Sequence, residues 1–255
     1  MGEIINVDKM LVSVSDLPYV HVDRDAFLRS ELQEYCTEEE IQNALESTPA
    51  KAGISPKIID KIADGVISME TLKVTSLSAA AGIPGGFAAV ATVPADVAQY
   101  MAHSVKTAQE LAYLYGWPSF DAEKMSSGTK AELTLFLGIM FGMGKTVAPA
   151  IHQLASELAE HTLKSAATAA GKRQIAQTIA YKTAKEVAKQ LGIRLSEENF
   201  AKGVAKVVPF FGAVVSGGMS YVAFKKSGKR LKTHLRELPL AQDTSVSIIV
   251  EDSYD

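Results

Sequence analysis

Residue types able to do chemistry are few in this chain and rarely fall at a useful spacing. Asp96, Tyr100, His103 and Thr107 recur at helical intervals, which places a carboxylate, a phenol, an imidazole and a hydroxyl on one face of a helix. Such a face can line a polar pocket and supply general acid–base groups. The plainer alternative is that Asp96 only steadies the positive first turn of that helix. Glu157 and His161 are four residues apart, a spacing that suits a metal pair. A di-metal bundle needs two Glu-x-x-His motifs with further carboxylates, and the sequence has none. It also has no HExxH and no GxSxG. Cys36 is the only cysteine, so an intramolecular disulfide and a multi-cysteine zinc or iron–sulfur site are excluded. Gly144-Lys145-Thr146 resembles the end of a phosphate-binding loop, but the first glycine of GxxxxGK[ST] would fall on Ile139. The residues before it read as helix rather than strand. The expectation is therefore no bound nucleotide, no metal, no cofactor and no assignable catalytic residue.

The elements that must carry these residues are helical. Thr37 to Glu40 forms a capping box that opens a short helix to about Ser47. Ser55-Pro56 opens a second, with Ile58, Ile59, Ile62, Val66, Met69 and Leu72 at helical spacing. Pro94 opens a third, which Gly116 closes. Thr129 and Glu132 read as another capping box, ahead of a helix from Leu133 to Gly144. Residues 150–170 and 172–191 read as two Ala-rich helices parted at Gly171. Ser196 caps a helix ending before Pro209, and a last helix covers about 210–236. Only Ile4–Val14 and Ser245–Val250 read as strands. The expected fold is mainly α: a multi-helix bundle holding an apolar hairpin rich in small residues, with possible short terminal strands.

Charge is distributed in blocks. The 255 residues are 47% hydrophobic and 22% charged, enough for a real core, and the net charge of −3 excludes a general nucleic-acid binder. Residues 1–50 hold 3 basic and 11 acidic side chains, while residues 164–236 hold 15 basic and 3 acidic. Residues 237–255 hold 5 acidic and no basic. The acidic ends either fold onto the basic stretch or leave it as a surface for anionic lipid headgroups.

Three stretches are apolar and nearly uncharged. Residues 74–95 form 22 without a charge, but Pro84-Gly85-Gly86 breaks the run. Residues 133–144 are too short to cross a bilayer, and residues 207–224 are interrupted by Gly217-Gly218. They suit a buried hairpin or shallow entry into a membrane. Gly138 and Gly142 form a GxxxG, which allows close approach of helices.

Two of these segments carry a resemblance. Residues 82–117, GIPGGFAAVATVPADVAQYMAHSVKTAQELAYLYGW, join a Gly-Pro-Gly-rich segment to P-x-D and a helix ending in Tyr-Gly. Residues 191–230 carry P-x-x-G-A-x-x-x-G-G running into a basic helix. In this order the two resemble the EcsC family of bacterial proteins, over roughly residues 20–236. Ser220 stands where the family's pattern has Asn. The resemblance implies a mostly helical bacterial protein without a defined activity. The family's namesake is encoded beside an ABC-type exporter, which implies work at the cytoplasmic membrane.

The expected organisation is an N-terminal segment 1–20, one helical domain 21–236 and an acidic tail 237–255. No basic n-region precedes an apolar run at the start, so the expected location is the cytoplasm, with peripheral attachment to the inner face of the membrane. The expected function is non-enzymatic binding of anionic membrane lipid or an apolar ligand. Lys225, Lys226, Lys229, Arg230, Lys232 and Arg236 are the candidate phosphate contacts. Gly82, Pro84, Gly85, Gly86, Gly212, Gly217 and Gly218 are the candidate hairpin-packing residues, and Asp96, Tyr100 and His103 the candidate polar pocket. The alternatives are a soluble adaptor docking a membrane-protein partner, and a hydrolase using Asp96 and His103.

Overall fold

Side chains fix the helix starts. Thr37 Oγ1 accepts from the Glu40 N–H and the Glu40 carboxylate accepts from the Thr37 N–H, a complete capping box that opens α3 (Glu38–Glu46). Asp23 Oδ1 accepts from the Ala26 N–H at 2.8 Å and opens α2 (Arg24–Leu32). The computed structural model describes residues 6–79, 95–120, 126–161, 166–195 and 217–242. All regular structure among the described residues is helical. The other helices are α1 (Val7–Ser15), α4 (Pro56–Ala79), α5 (Ala95–Leu114), α6 (Ser127–Met140), α7 (Gly144–His161), α8 (Ala166–Leu195) and α9 (Gly217–Arg236), followed by a 3-10 turn at Pro239–Ala241.

Several local expectations are corrected. The N-terminal stretch expected as a strand is helix α1: Asn6 Oδ1 accepts from the Lys9 N–H at 3.0 Å, and Val7, Met10, Leu11 and Val14 bury a face of helical period. The Thr129–Glu132 capping box does not form. Ser126 is the N-cap, accepting from the Thr129 N–H at 3.1 Å, and Glu132 accepts from Trp117 Nε1 at 2.8 Å. Tertiary demand for an indole partner outcompetes the local cap. The Ala-rich run does not break at Gly171, which lies inside α8. Gly142 is past the end of α6 at φ 82°, so it shapes a turn instead of a helix contact. Gly144 opens α7 and does not end α6. The helix expected at Ser196, the strand expected at Ser245–Val250, and Gly82, Pro84, Gly85, Gly86 and Gly212 lie outside the described residues.

Around α5 the bundle closes. From Val97 to Leu114 each residue of this helix is buried except the half-buried Lys106. It packs on α1, α2, α4, α6 and α9. Its contacts with α4 run antiparallel: Tyr115 OH donates to Asp60 Oδ1 at 2.8 Å near one end, and His103 Nδ1 lies 2.7 Å from Glu70 Oε2 toward the other. Helix α9 also runs antiparallel to α4. Lys232 Nζ reaches Asp64 Oδ2 at 2.9 Å, and Gly228 sits against Ile67, where a Cβ would come within 3.0 Å of Ile67 Cγ1. Tyr100 meets Phe224 edge-on at 5.3 Å and Phe141 at 5.9 Å, joining α5, α9 and the end of α6. The last turn of α4 and the first turns of α5 and α9 therefore lie at one end of the bundle.

The expected C-cap at Gly116 is present and is tightly enclosed. Its φ is 90°, and a Cβ there would lie 2.6 Å from the backbone oxygen of Leu240. Gly53 has a similar φ of 77° but open space around it. A left-handed non-glycine residue costs about 1–2 kcal/mol. Gly53→Ala should incur that strain alone, while Gly116→Ala must also push away the 3-10 turn. Thermal unfolding should show the larger drop for Gly116→Ala, by several degrees at about 2–4 °C per kcal/mol for a chain of this size. Equal drops would show that Leu240 does not crowd the cap.

Candidate functional site

Glu70 lies on the apolar stripe of α4, in register with Ile59, Ile62, Ala63, Val66, Ile67 and Val74, so folding carries its carboxylate into the core. It is 2% exposed. A buried carboxylate needs partners; α5 supplies two of them and Lys73 of α4 the third. His103 Nδ1 donates to Oε2 at 2.7 Å, while Lys106 Nζ at 2.9 Å and Lys73 Nζ at 2.7 Å reach Oε1. Burial alone would raise the Glu70 pKa, but these three donors outweigh it and hold the carboxyl down at about 2. Lys106 also reaches Glu110 Oε1 at 2.9 Å. One ammonium thus serves two carboxylates. Burial pushes Glu110 up to about 7 against the attraction of Lys106, and the Glu70 charge adds to the rise. Burial would lower Lys106, but Glu110 and Glu70 together raise it above the usual lysine range.

Of the expected polar pocket, His103 belongs to this network. Tyr100 turns into the aromatic cluster with Phe141 and Phe224, and burial pushes its phenol up to about 12. His103 is covered by the Tyr19 ring, with centroids 5.8 Å apart. Asp96 lies in the first turn of α5, where its side chain is outside the described residues. Among the described residues no three His, Cys, Asp or Glu side chains converge as metal ligands. The sequence reading missed Glu70, Lys106 and Glu110. Glu70 was detectable as an acid on an otherwise apolar stripe, and Lys106 and Glu110 as an i, i+4 pair on a buried helix.

The six basic residues of α9 sit in different surroundings. Lys232 donates to the Asp60 carbonyl at 3.0 Å and pairs with Asp64, and Arg236 Nη1 reaches Asp60 Oδ2 at 3.2 Å. These two fasten α9 to α4. Arg230 Nη1 donates to the Met140 carbonyl at 3.2 Å and so caps α6. Lys225 Nζ stays on its own helix, with Tyr221 OH 3.1 Å away. Lys226 and Lys229 are exposed and make no ion pair among the described residues. They share an open cleft with Lys145 at the start of α7, and with Arg230 and His234. Gly217 and Gly218 form the first turn of α9.

At the bundle end where α4 finishes and α5 and α9 begin, large apolar side chains face outward. Leu72 is 55% exposed and Val222 54%. The register set by Gly228 against Ile67 puts Val222 level with Lys73, and Met69, 56% exposed, level with Lys226. The uncharged stretches 74–95 and 207–224 continue from these same helices. No helix of the described residues is long and apolar enough to cross a membrane.

No protein-family model, curated protein or solved structure matches the chain.

The buried network gives stability a defined pH dependence. Between the ordinary carboxylate range and about 7 the folded chain binds more protons than the unfolded one, because the Glu110 pKa is raised. Stability therefore falls as pH rises through that window. Glu70 acts the opposite way, since its lowered pKa stabilises above the ordinary range and the benefit is lost as pH falls toward 2. Denaturant unfolding at several pH values should show the wild type less stable at pH 7.5 than at pH 5 by at least about 1 kcal/mol, as one displaced unit corresponds to about 1.4 kcal/mol. Glu110→Gln should flatten that decline. A decline of unchanged slope in Glu110→Gln would assign it to other groups.

Proposed function

We propose that the protein associates peripherally with anionic membranes through the end of the bundle where α4, α5 and α9 meet. The observation that carries this reading is the shared location of three features. Both long uncharged stretches continue from helix ends at this position. Leu72 and Val222 are more than half exposed there. Lys225, Lys226 and Lys229 follow Val222 by one to two turns, about 5–10 Å along the helix. An apolar rim with cations behind it matches the layering of a bilayer surface, acyl chains below and phosphates above. The EcsC resemblance, with its implied work at the inner face of the cytoplasmic membrane, favours the same reading.

The magnitudes are balanced. Burying a Val or Leu side chain fully is worth about 1.5–3 kcal/mol, and these two are already partly covered. Each lysine near an anionic surface adds about 1 kcal/mol. Neither contribution alone holds the protein firmly, so both are required. No reaction step enters this function.

Sedimentation with vesicles tests it. Wild type should pellet increasingly as anionic lipid content rises and should be released by salt, because the attraction decays over a Debye length of about 8 Å at physiological ionic strength. Leu72→Asp with Val222→Asp should pellet several-fold less while keeping its helical content, since both positions are exposed. Absence of pelleting at every anionic content would favour the adaptor that docks a protein partner. Equal pelleting of the double variant would move the contact away from this end.

A further inference from the structure

We infer that the cleft between the start of α7 and the outer face of α9 is a binding site for a phosphate monoester, carried on a lipid headgroup or on a small soluble molecule. This rests on the membrane reading for the lipid source only. The cleft is open to solvent, has a volume of about 550 Å³ and is lined in part by Lys145, Lys226, Lys229, Arg230 and His234, with Glu237 the one acid among its described lining residues.

The fold uses the cations of α9 unevenly. On the α4 side of α9 each basic group is matched: Lys232 by Asp64 and Arg236 by Asp60. On the α7 side no such matching occurs, and Lys145, Lys226 and Lys229 make no ion pair among the described residues. Three ammonium groups from two helices thus share one concavity. Like charges held together raise each other's free energy, and a group of higher negative charge relieves this best. A phosphate monoester carries up to two negative charges near neutral pH and offers three acceptor oxygens. A phosphodiester carries one charge and fits less well.

Two neighbours complete the site. Arg230 is fixed by its hydrogen bond to the Met140 carbonyl, so its position needs no ordering when a ligand arrives. His234 Nε2 is buried without a hydrogen-bond partner among the described residues. Gly142, at φ 82°, places no side chain on the Arg230 guanidinium, where a Cβ would be in van der Waals contact with Nη1 at 3.6 Å. The cleft lies on the flank of α9, with Lys226 one turn above Val222. A headgroup phosphate is therefore within reach when the apolar rim touches a bilayer.

Calorimetric titration of the full chain with glycerol 3-phosphate, alongside sedimentation with phosphatidate and phosphatidylglycerol vesicles of matched surface charge, tests the inference. The expected result is saturable binding of glycerol 3-phosphate, a preference for phosphatidate, or both. The triple change Lys145→Ala, Lys226→Ala and Lys229→Ala should reduce either by at least tenfold. The same loss of charge on α8, through Lys182→Ala, Lys185→Ala and Lys189→Ala, should leave it unchanged. Glycerol 3-phosphate binding without vesicle binding would support the cleft and overturn the membrane reading. Vesicle binding with no phosphatidate preference and no glycerol 3-phosphate binding would overturn the cleft and leave the membrane reading standing. Equal losses in the two triple variants would also overturn it, reducing the effect to net charge.

Discussion

A helix covered on every side must find partners for each polar group it carries, and α5 is that helix. Gln99, His103, Ser104, Thr107, Gln109 and Glu110 are all buried on it. An unpaired buried polar group costs about 1–3 kcal/mol; the neighbours of α5 satisfy many of these groups, while Gln99 Nε2 and Thr107 Oγ1 have no hydrogen-bond partner among the described residues. Gln109 closes on Val20 and Val22 of the α1–α2 connection, with its Nε2 donating to the Val20 carbonyl at 2.9 Å. Tyr113 OH donates to the Val22 carbonyl and accepts from the Phe120 N–H. His103 and Lys106 converge on Glu70 and so set the α4–α5 register. Sliding α4 by one turn would bury Glu70 without its donors.

Arg24 solves the same problem for the N-terminal helices. It is 7% exposed and donates to the carbonyls of Ala44, Leu45 and Ser47 at the end of α3, and to Trp117 just after α5. One guanidinium therefore ties α2, the α3 terminus and the turn after α5 together. Its planar fork of donors suits several carbonyls at once, which a lysine would not reproduce. The Trp117 indole donates to Glu132 and stacks edge-on against Phe136 at 5.0 Å, which joins that turn to α6. Close backbone approach finishes the packing: a Cβ on Gly138 would stand 2.9 Å from Val147 Cγ1 and 3.1 Å from Val187 Cγ1, where α6, α7 and α8 meet.

Surface character follows from how the interior is settled. Because α9 must pack antiparallel on α4, its cations facing Asp60 and Asp64 become structural, and those on the opposite side remain for solvent or a ligand. The same arrangement gathers the flanks of both uncharged stretches at one end. Leu72 and Val222 are exposed toward that end, and the lysines of α9 follow Val222 from the next turn. The functional reading thus depends on helix direction more than on any single residue.

Much of this was legible in the chain. Local signals act over a few residues, so the capping box at Thr37 and Glu40, the start at Pro56, and the α5 helix closed at Gly116 all follow from short-range chemistry. The helical class follows from apolar spacing. Where sequence reading failed, a distant partner had won. Glu132 left its expected cap for the Trp117 indole, and the N-terminal stretch read as a strand because its β-branched residues suit either period until burial selects one face. Lys225 to Arg236 read as one uniform basic surface, since nothing in their order reveals that Asp60 and Asp64 lie across from some and not others. Lys145 was weighed only as part of a nucleotide motif, and its place beside Lys226 and Lys229 was hidden by about eighty intervening residues. The sequence by itself determined the helices, their caps and the blocks of charge and apolarity, because those depend on neighbours along the chain. Tertiary structure alone decided which charges are matched inside and which remain outside, because ion pairing depends on distances that exist only after α4, α5, α7 and α9 have packed.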